Sequence, residues 1–365
     1  MFLGFGEIMA RVAPEGRLRW RQVLPGTVQV TWGGGEANVC ASLAMLGKPA
    51  RYLTALPRNP LAEAVVTSLR GLGVDSERIL YRSQGRLGLY FVEVGANQRG
   101  STVLYDREYS AVSLAEPAEY QFDHALEGVH WLHVTGITPA ISRAACQSNL
   151  ALVQRARAKG VTVSCDLNFR KKLWRWDASR SARDLARATM SELLPLVDVV
   201  IANEEDAADV LDIRAAHTDV SQGHLDAAAY EHVARQIVER FPQIRHVAIT
   251  LRESLSADHN NWGAMLYDTN AGRAYYAPLD EQGRYRPYEI KNIVDRVGAG
   301  DSFAAGLLWG LDTAAQDASW TLADVLRFAV AASCLKHSIA GDFNYVTVEE
   351  IQALAGGNQS GRVQR

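Results

Sequence analysis

The sequence predicts an α/β fold, in which a mostly parallel central sheet is covered by helices on both faces and carries a small antiparallel sheet as a lid. Three observations predict it. Short β-branched runs alternate with helical runs along most of the chain, the pattern of strands buried under helices on both sides. Two stretches, 17–32 and 86–107, are strand-like and have no helical partners. The 365 residues are 48% hydrophobic and 22% charged, a globular composition that excludes a disordered or fibrous chain. That length fits roughly two domains, or one large α/β domain with an insertion.

The elements follow in order. Residues 1–7 are apolar, have no basic leader and meet Glu7 at once, so they read as a first core strand and not as a signal peptide. Residues 17–32 are mixed and strand-like, with Arg17, Arg19 and Arg21 alternating along a solvated face. Asn59-Pro60 is a helix start, Asn as N-cap and Pro at the first helical position. Residues 86–94 and 101–107 are strands joined by the turn-rich 95–100, which makes a hairpin. An appendage of such strands over the ligand end of the sheet would act as a lid.

A buried strand is expected at 129–134, with His130 and His133 in structural roles, and a helix at 140–159 closed by Gly160 in the left-handed region. Strands follow at 161–166, 197–202 and 247–251, with an amphipathic helix at 225–240. A polar tail starts at Gly356.

Charge and cysteines bound the function. Lys and Arg total 38 and Asp and Glu 41, a net charge of −3 that argues against a nucleic-acid binder working through a basic face. No apolar run reaches the roughly 18 residues that span a bilayer, so no membrane partner is expected. Cys40, Cys146, Cys165 and Cys334 are sparse and show no CxxC or zinc spacing, which reads as a reduced, cytoplasmic protein.

No GxxxxGK[ST], GxSxG or HExxH occurs, and neither Gly4-Phe5-Gly6 nor Gly298-Ala299-Gly300 completes GxGxxG. The informative segment is 293–306, where the small-residue turn Gly298-Ala299-Gly300-Asp301 runs straight into an apolar helix. Glycines admit a ligand close to the backbone, and the first N–H groups of a helix are free to bind an anion. An acceptor hydroxyl between Asp301 and those amides has what phosphoryl transfer needs: a carboxylate base and an anion hole.

This segment resembles the DTxGAGD signature of the PfkB (ribokinase-like) carbohydrate kinases. Two further motifs fall in that family's order: Gly33-Gly34-Gly35-Glu36-Ala37-Asn38 running into a helix, and Asn203-Glu204-Glu205-Asp206 after a strand. Within the family the chain is most similar to the 2-keto-3-deoxygluconate kinases, through Gly6-Glu7-Ile8-Met9, the run 105–111, Asp166-Leu167-Asn168-Phe169-Arg170 and the run 331–343. The resemblance implies a ribokinase-like three-layer α/β/α domain over residues 1–355. Lid insertions are expected at about 12–33 and 85–112, and a flexible tail at 356–365. It implies ATP and Mg²⁺, a small sugar acid as substrate, phosphorylation of 2-dehydro-3-deoxy-D-gluconate at its 6-hydroxyl, and a homo-oligomer. The alternatives are a fructokinase or other deoxy-ketose kinase, or a non-catalytic sugar-sensing module on the same fold.

The resemblance also assigns residues. Asp301 is the base, and Gly298, Ala299 and Gly300 form the anion hole. Gly33, Gly34, Asn38, Tyr90, Tyr105, Arg107, Asn168 and Arg170 bind the sugar acid, its carboxylate needing the bidentate fork that Arg supplies and Lys does not. Asn203, Thr250, Arg252 and Ser333 bind the nucleotide. Asn203, Glu205 and Asp206 hold Mg²⁺ through water, and Asp295 is the candidate ligand of a monovalent cation. Arg296 stands where the family has Thr and is a candidate to approach the ATP phosphates. Asp206 stands where it has Glu, and the polar run 250–261 replaces its Gly-rich adenine loop.

Overall fold

A computed structural model describes residues 1–203, 205–214 and 227–358. Glu204, the expected helix start at 225–226 and residues 359–365 of the expected tail lie outside the described residues. The strands are β1 (Phe2–Phe5), β2 (Met9–Ala13), β3 (Gln29–Gly33), β4 (Ala50–Leu53), β5 (Ala55–Pro57), β6 (Leu80–Arg82), β7 (Gly88–Glu93) and β8 (Thr102–Asp106), followed by β9 (Trp131–Thr135), β10 (Thr162–Asp166), β11 (Val199–Ala202), β12 (His246–Ser256), β13 (His259–Asp268), β14 (Arg273–Ala277) and β15 (Tyr288–Lys291).

Among the described residues the central sheet runs β14-β13-β12-β11-β10-β9-β1-β4, with β15 also on β13. Pairing is parallel from β4 through β12 and antiparallel beyond it. Side-chain alternation divides the core in two. On one face Phe2, Trp131, Val199, Ile201 and Ala248 pack with helices Gly35–Met45, Ala299–Ala314 and Leu322–Lys336; on the other Leu3, Leu132, Val200 and Ile249 pack with Arg143–Ala158, Ala182–Leu193 and Ala227–Arg240. The chain is therefore the expected three-layer α/β/α fold with a mostly parallel sheet.

A second sheet runs β3-β2-β7-β8. The expected hairpin is its antiparallel β7–β8 pair, and β2 joins β7 in parallel. Two details differ from expectation. The run 17–32 is not one strand: Trp20–Val23 is a helical turn, so Arg17, Arg19 and Arg21 do not alternate along a sheet face. The strand of the second sheet preceding it is Met9–Ala13, which is apolar enough to read as more of the first core strand.

Local chemistry explains several boundaries. Asn59 Oδ1 accepts from Ala62 N at 3.0 Å, and Pro60 opens the helix. The expected helix 140–159 is split at Ser142, whose extended backbone and hydroxyl cap Arg143–Ala158 by accepting from Ala145 N at 3.0 Å. Gly160, φ +73°, closes that helix. The strand expected at 247–251 continues to Ser256 and turns back as β13, so the polar run that replaces an adenine loop is a β-hairpin.

Candidate active site

A cavity of about 380 Å³ opens at the carboxyl ends of the parallel strands, beneath the second sheet. Its walls come from the residues just after β1 (Glu7), β9 (Ile137), β10 (Asn168, Arg170) and β11 (Asn203, Asp206), with Asp166 at the end of β10. The second sheet adds Met9, Tyr90, Val103 and Tyr105, and Arg107 follows β8. The floor is the start of helix Ala299–Ala314 with Asp342 beside it.

Gly298 is the N-cap of that helix at φ +83°, and a Cβ there would overlap the backbone oxygen of Asp342, so two constraints select glycine. The turn sets Gly298, Ala299 and Gly300 on the cavity wall at a helix start, where the first N–H groups lack intrahelical partners, although Ala299 N reaches Arg296 O at 3.4 Å. Asp301 lies in the first turn. Burial pushes its carboxyl up to about 7; the amide of Asn38, donating to Oδ2 at 2.6 Å, and the charge of Arg170 pull it down, while Asp342 pushes it up. A carboxylate half-ionised near neutrality, beside free amides, suits a general base for a hydroxyl.

Asn38 is oriented by its own helix start, where Oδ1 accepts from Gly34 N at 3.2 Å. Its amide also reaches Asp342 Oδ2 at 3.4 Å. Asp342 Oδ1 accepts from Tyr90 Oη at 2.5 Å and from Arg11 at 2.9 Å. Gly33 leaves room for this knot, because a Cβ there would meet both the Asp342 carboxylate and the Tyr90 hydroxyl.

On the opposite wall Asp206 Oδ2 accepts from Asn203 N at 3.0 Å, and Asn203 Oδ1 accepts from Asp206 N at 2.9 Å. Asp206 Oδ1 takes Phe169 N at 3.0 Å, which ties the β10 and β11 ends together. Asp166 Oδ1 accepts from Asn168 N at 3.1 Å and helps hold Asn168 at φ +36°, with its own side-chain oxygen buried and unpartnered. Burial raises the carboxyls of Asp166 and Asp206, and for Asp166 the charges of Asp206 and Asp301 add to it. The exposed Arg170 lowers Asp166, Asp206 and Asp301 alike.

Of the residues expected at the site, Gly34, Asn38, Tyr90, Tyr105, Arg107, Asn168, Arg170, Asn203, Asp206, Thr250, Arg252, Gly298, Ala299, Gly300 and Asp301 share this cavity wall. Gly33, Glu205, Ser333 and Asp295 do not. Glu205 is exposed and uses its backbone N–H on Asn203. Ser333 is buried, and its hydroxyl donates to Ala299 O at 2.6 Å as a brace between helices; His337, one turn on, lines the cavity instead. Arg107 is not a free fork: its Nε donates to Glu7 Oε2 at 2.6 Å and both are buried. Arg296 is on the wall, but one of its terminal nitrogens is committed to the hairpin, donating to Ala257 O at 2.7 Å and Ser256 O at 3.0 Å.

Sequence reasoning missed Glu7, Arg11 and Asp342. Arg11 had a signal, a charge inside the apolar strand Met-Ala-Arg-Val-Ala, which requires a buried counter-charge.

No helix among the described residues is long and apolar enough to cross a membrane. The chain matches the pfkB family carbohydrate kinases over residues 4–254 and 263–342. Among solved structures it is similar to a 2-dehydro-3-deoxygluconokinase from Thermotoga maritima, at 40% identity and a TM-score of 0.86, covering 98% of this chain and 99% of that one. Among curated proteins it is 30% identical to a 2-dehydro-3-deoxygalactonokinase from Haloferax volcanii over 98% of this chain and 97% of the relative. It is 27% identical to a 2-dehydro-3-deoxygluconokinase from Bacillus subtilis over 76% of this chain and 73% of the relative. By its match over most of its length and by the cavity just described, the chain belongs to the pfkB family of carbohydrate kinases.

Proposed function

We propose that this carbohydrate kinase transfers the γ-phosphoryl group of ATP to the 6-hydroxyl of 2-dehydro-3-deoxy-D-gluconate, giving 2-dehydro-3-deoxy-6-phosphogluconate and ADP. The observation that carries the reading is the placement of Asp301 at the mouth of helix Ala299–Ala314, in one cavity with a solvent-facing arginine, Arg170. The 40%-identical 2-dehydro-3-deoxygluconokinase supports the substrate class.

In this reading the sugar acid lies under the second sheet, which acts as the lid. Arg170 takes the carboxylate bidentately. Asn168, through its unpartnered oxygen, and Glu7, whose Oε1 also lacks a partner, accept hydrogen bonds from the sugar hydroxyls. Asp301 accepts the proton of the 6-hydroxyl as that oxygen bonds to the γ-phosphorus and the bond from phosphorus to the ADP oxygen breaks. The amides of Gly298, Ala299 and Gly300 hold the charge on the moving phosphoryl oxygens. Closure of the lid keeps water, a competing acceptor, out.

The donor set fits Mg²⁺ held through water. Asp166 and Asp206 are buried carboxylates on the wall, and Asp206 spends an oxygen on each of two backbone amides, which suits water-mediated better than direct contact. When bound, the ion neutralises the β- and γ-phosphate charge.

The galactonate epimer is a second reading, favoured by the 30%-identical relative. Coupled measurement of ADP release over both keto-deoxy acids, gluconate, fructose and ribose tests both. Turnover highest on a keto-deoxy acid is expected, and a preference for neutral sugars overturns the proposal.

A further inference from the structure

Behind the anion hole lies a closed cluster of charges that the chemistry above does not use. Arg11, on β2, places one terminal nitrogen 2.5 Å from Asp295 Oδ2 and the other 2.9 Å from Asp342 Oδ1, with all three side chains buried. Lys336, at the end of helix Leu322–Lys336, is also buried and donates from Nζ to Ile339 O at 2.9 Å. Burial pushes its pKa below the usual lysine value and Arg11 adds to that, while the charges of Asp295, Asp342 and Asp301 favour the ammonium.

This cluster lies where the resemblance puts a monovalent cation, and the residues present do not fit one. Both oxygens of Asp295 are already engaged: Oδ1 accepts from Val297 N at 3.0 Å, and Oδ2 accepts from Gly341 N at 3.1 Å as well as from Arg11. Both oxygens of Asp342 are also engaged, Oδ1 by Arg11 and Tyr90 and Oδ2 by Asn38. Arg11 joins the loop 295–298 to the loop 337–342 through Asp295 and Asp342, and Lys336 braces the second loop through Ile339 O.

We propose that Arg11 and Lys336 are built-in cations that replace a dissociable monovalent ion, so that they position the anion-hole loop and turnover needs no potassium or sodium. Two fixed positive charges balance Asp295 and Asp342. They hold Asp342 against the Gly298 backbone and keep its charge from falling in full on Asp301. Because Arg11 belongs to the second sheet, seating of that sheet and shape of the anion hole are one event. The proposal rests on the reading of this turn as an anion hole.

The test compares wild type in potassium, sodium, ammonium and choline chlorides at equal ionic strength. kcat/KM for ATP, and ATP affinity by calorimetry, are expected to agree within about twofold across the four. A rise of about tenfold in potassium over choline overturns the proposal. Arg11→Ala, folded by circular dichroism, is expected to lose ATP affinity and to regain part of it with added guanidinium but not with choline. A folded Arg11→Ala that guanidinium leaves unchanged also overturns it. If that variant does not fold, the wild-type salt series decides. Absence of turnover on every keto-deoxy acid, with salt-indifferent ATP binding intact, sinks the proposed function and leaves this one standing.

Discussion

Asn38 and Asp301 are 263 residues apart in sequence and 2.6 Å apart in space, the amide nitrogen donating to Oδ2. That bond favours the ionised carboxylate against the burial that disfavours it. Asn38→Ala is therefore expected to move the rising limb of the kcat/KM profile, near pH 7 in wild type, to higher pH. A profile with an unmoved limb and only a lowered plateau would separate Asn38 from the base.

Asp301→Asn is expected to lower kcat by about 10²- to 10⁴-fold while ATP and sugar-acid binding change little. Near-normal kcat would remove Asp301 as the base.

The same substitution has a stability consequence. The folded-state value is raised to about 7 from 3.8, so the folded protein holds a proton that the unfolded chain releases across that window. Wild-type stability from this group is thus present below the unfolded value and lost as pH rises towards 7. Asp301→Asn is expected to melt higher than wild type at about pH 8, by at most about 4 kcal/mol, with the advantage vanishing towards about pH 4. Melting curves at the two pH values check it.

Arg170 and Arg107 are expected to fail differently. Arg170 is exposed on the cavity wall, and Arg170→Ala should raise KM for keto-deoxy acids by about 10- to 100-fold while sparing neutral sugars. Arg107→Ala strands Glu7 as an unpaired buried charge and should cost about 3–5 kcal/mol of stability, with activity on acidic and neutral sugars falling alike. Steady-state kinetics on paired acidic and neutral sugars, with urea unfolding, distinguish the two.

Gly298→Ala is expected to cost activity through the backbone. At φ +83° and against the Asp342 oxygen, the added methyl forces the turn open. A fall in kcat of at least about tenfold with a retained fold is expected, measured beside circular dichroism.

Much of this was legible locally. Strands β1 and β11 are apolar runs, and Asn59-Pro60 and Gly160 carry their own capping chemistry. The turn 298–301 is legible because it falls in order with the 33–38 and 203–206 motifs; taken alone, small residues followed by Asp before an apolar helix also read as a capped glycine turn. The missed features depend on partners far along the chain. Arg11 meets Asp295 and Asp342 across separations of 284 and 331 residues, which no local pattern encodes. β12 extends past Leu251 because Arg252 to Ser256 pair with 259–262, a continuation set by a cross-strand partner and not by side-chain polarity. Ser333 lies in the last turn of helix Leu322–Lys336 and His337 just beyond it, and only packing decides which of the two meets the cavity.

The cover over the cavity is stitched from three separate stretches of chain, 9–13, 29–33 and 88–106, with the parallel β2–β7 contact as its seam. It is therefore no cassette. Swapping one of these stretches for that of a homologue would leave its partner strands across the seam unmatched, so a transplant of this cover has to carry all three together.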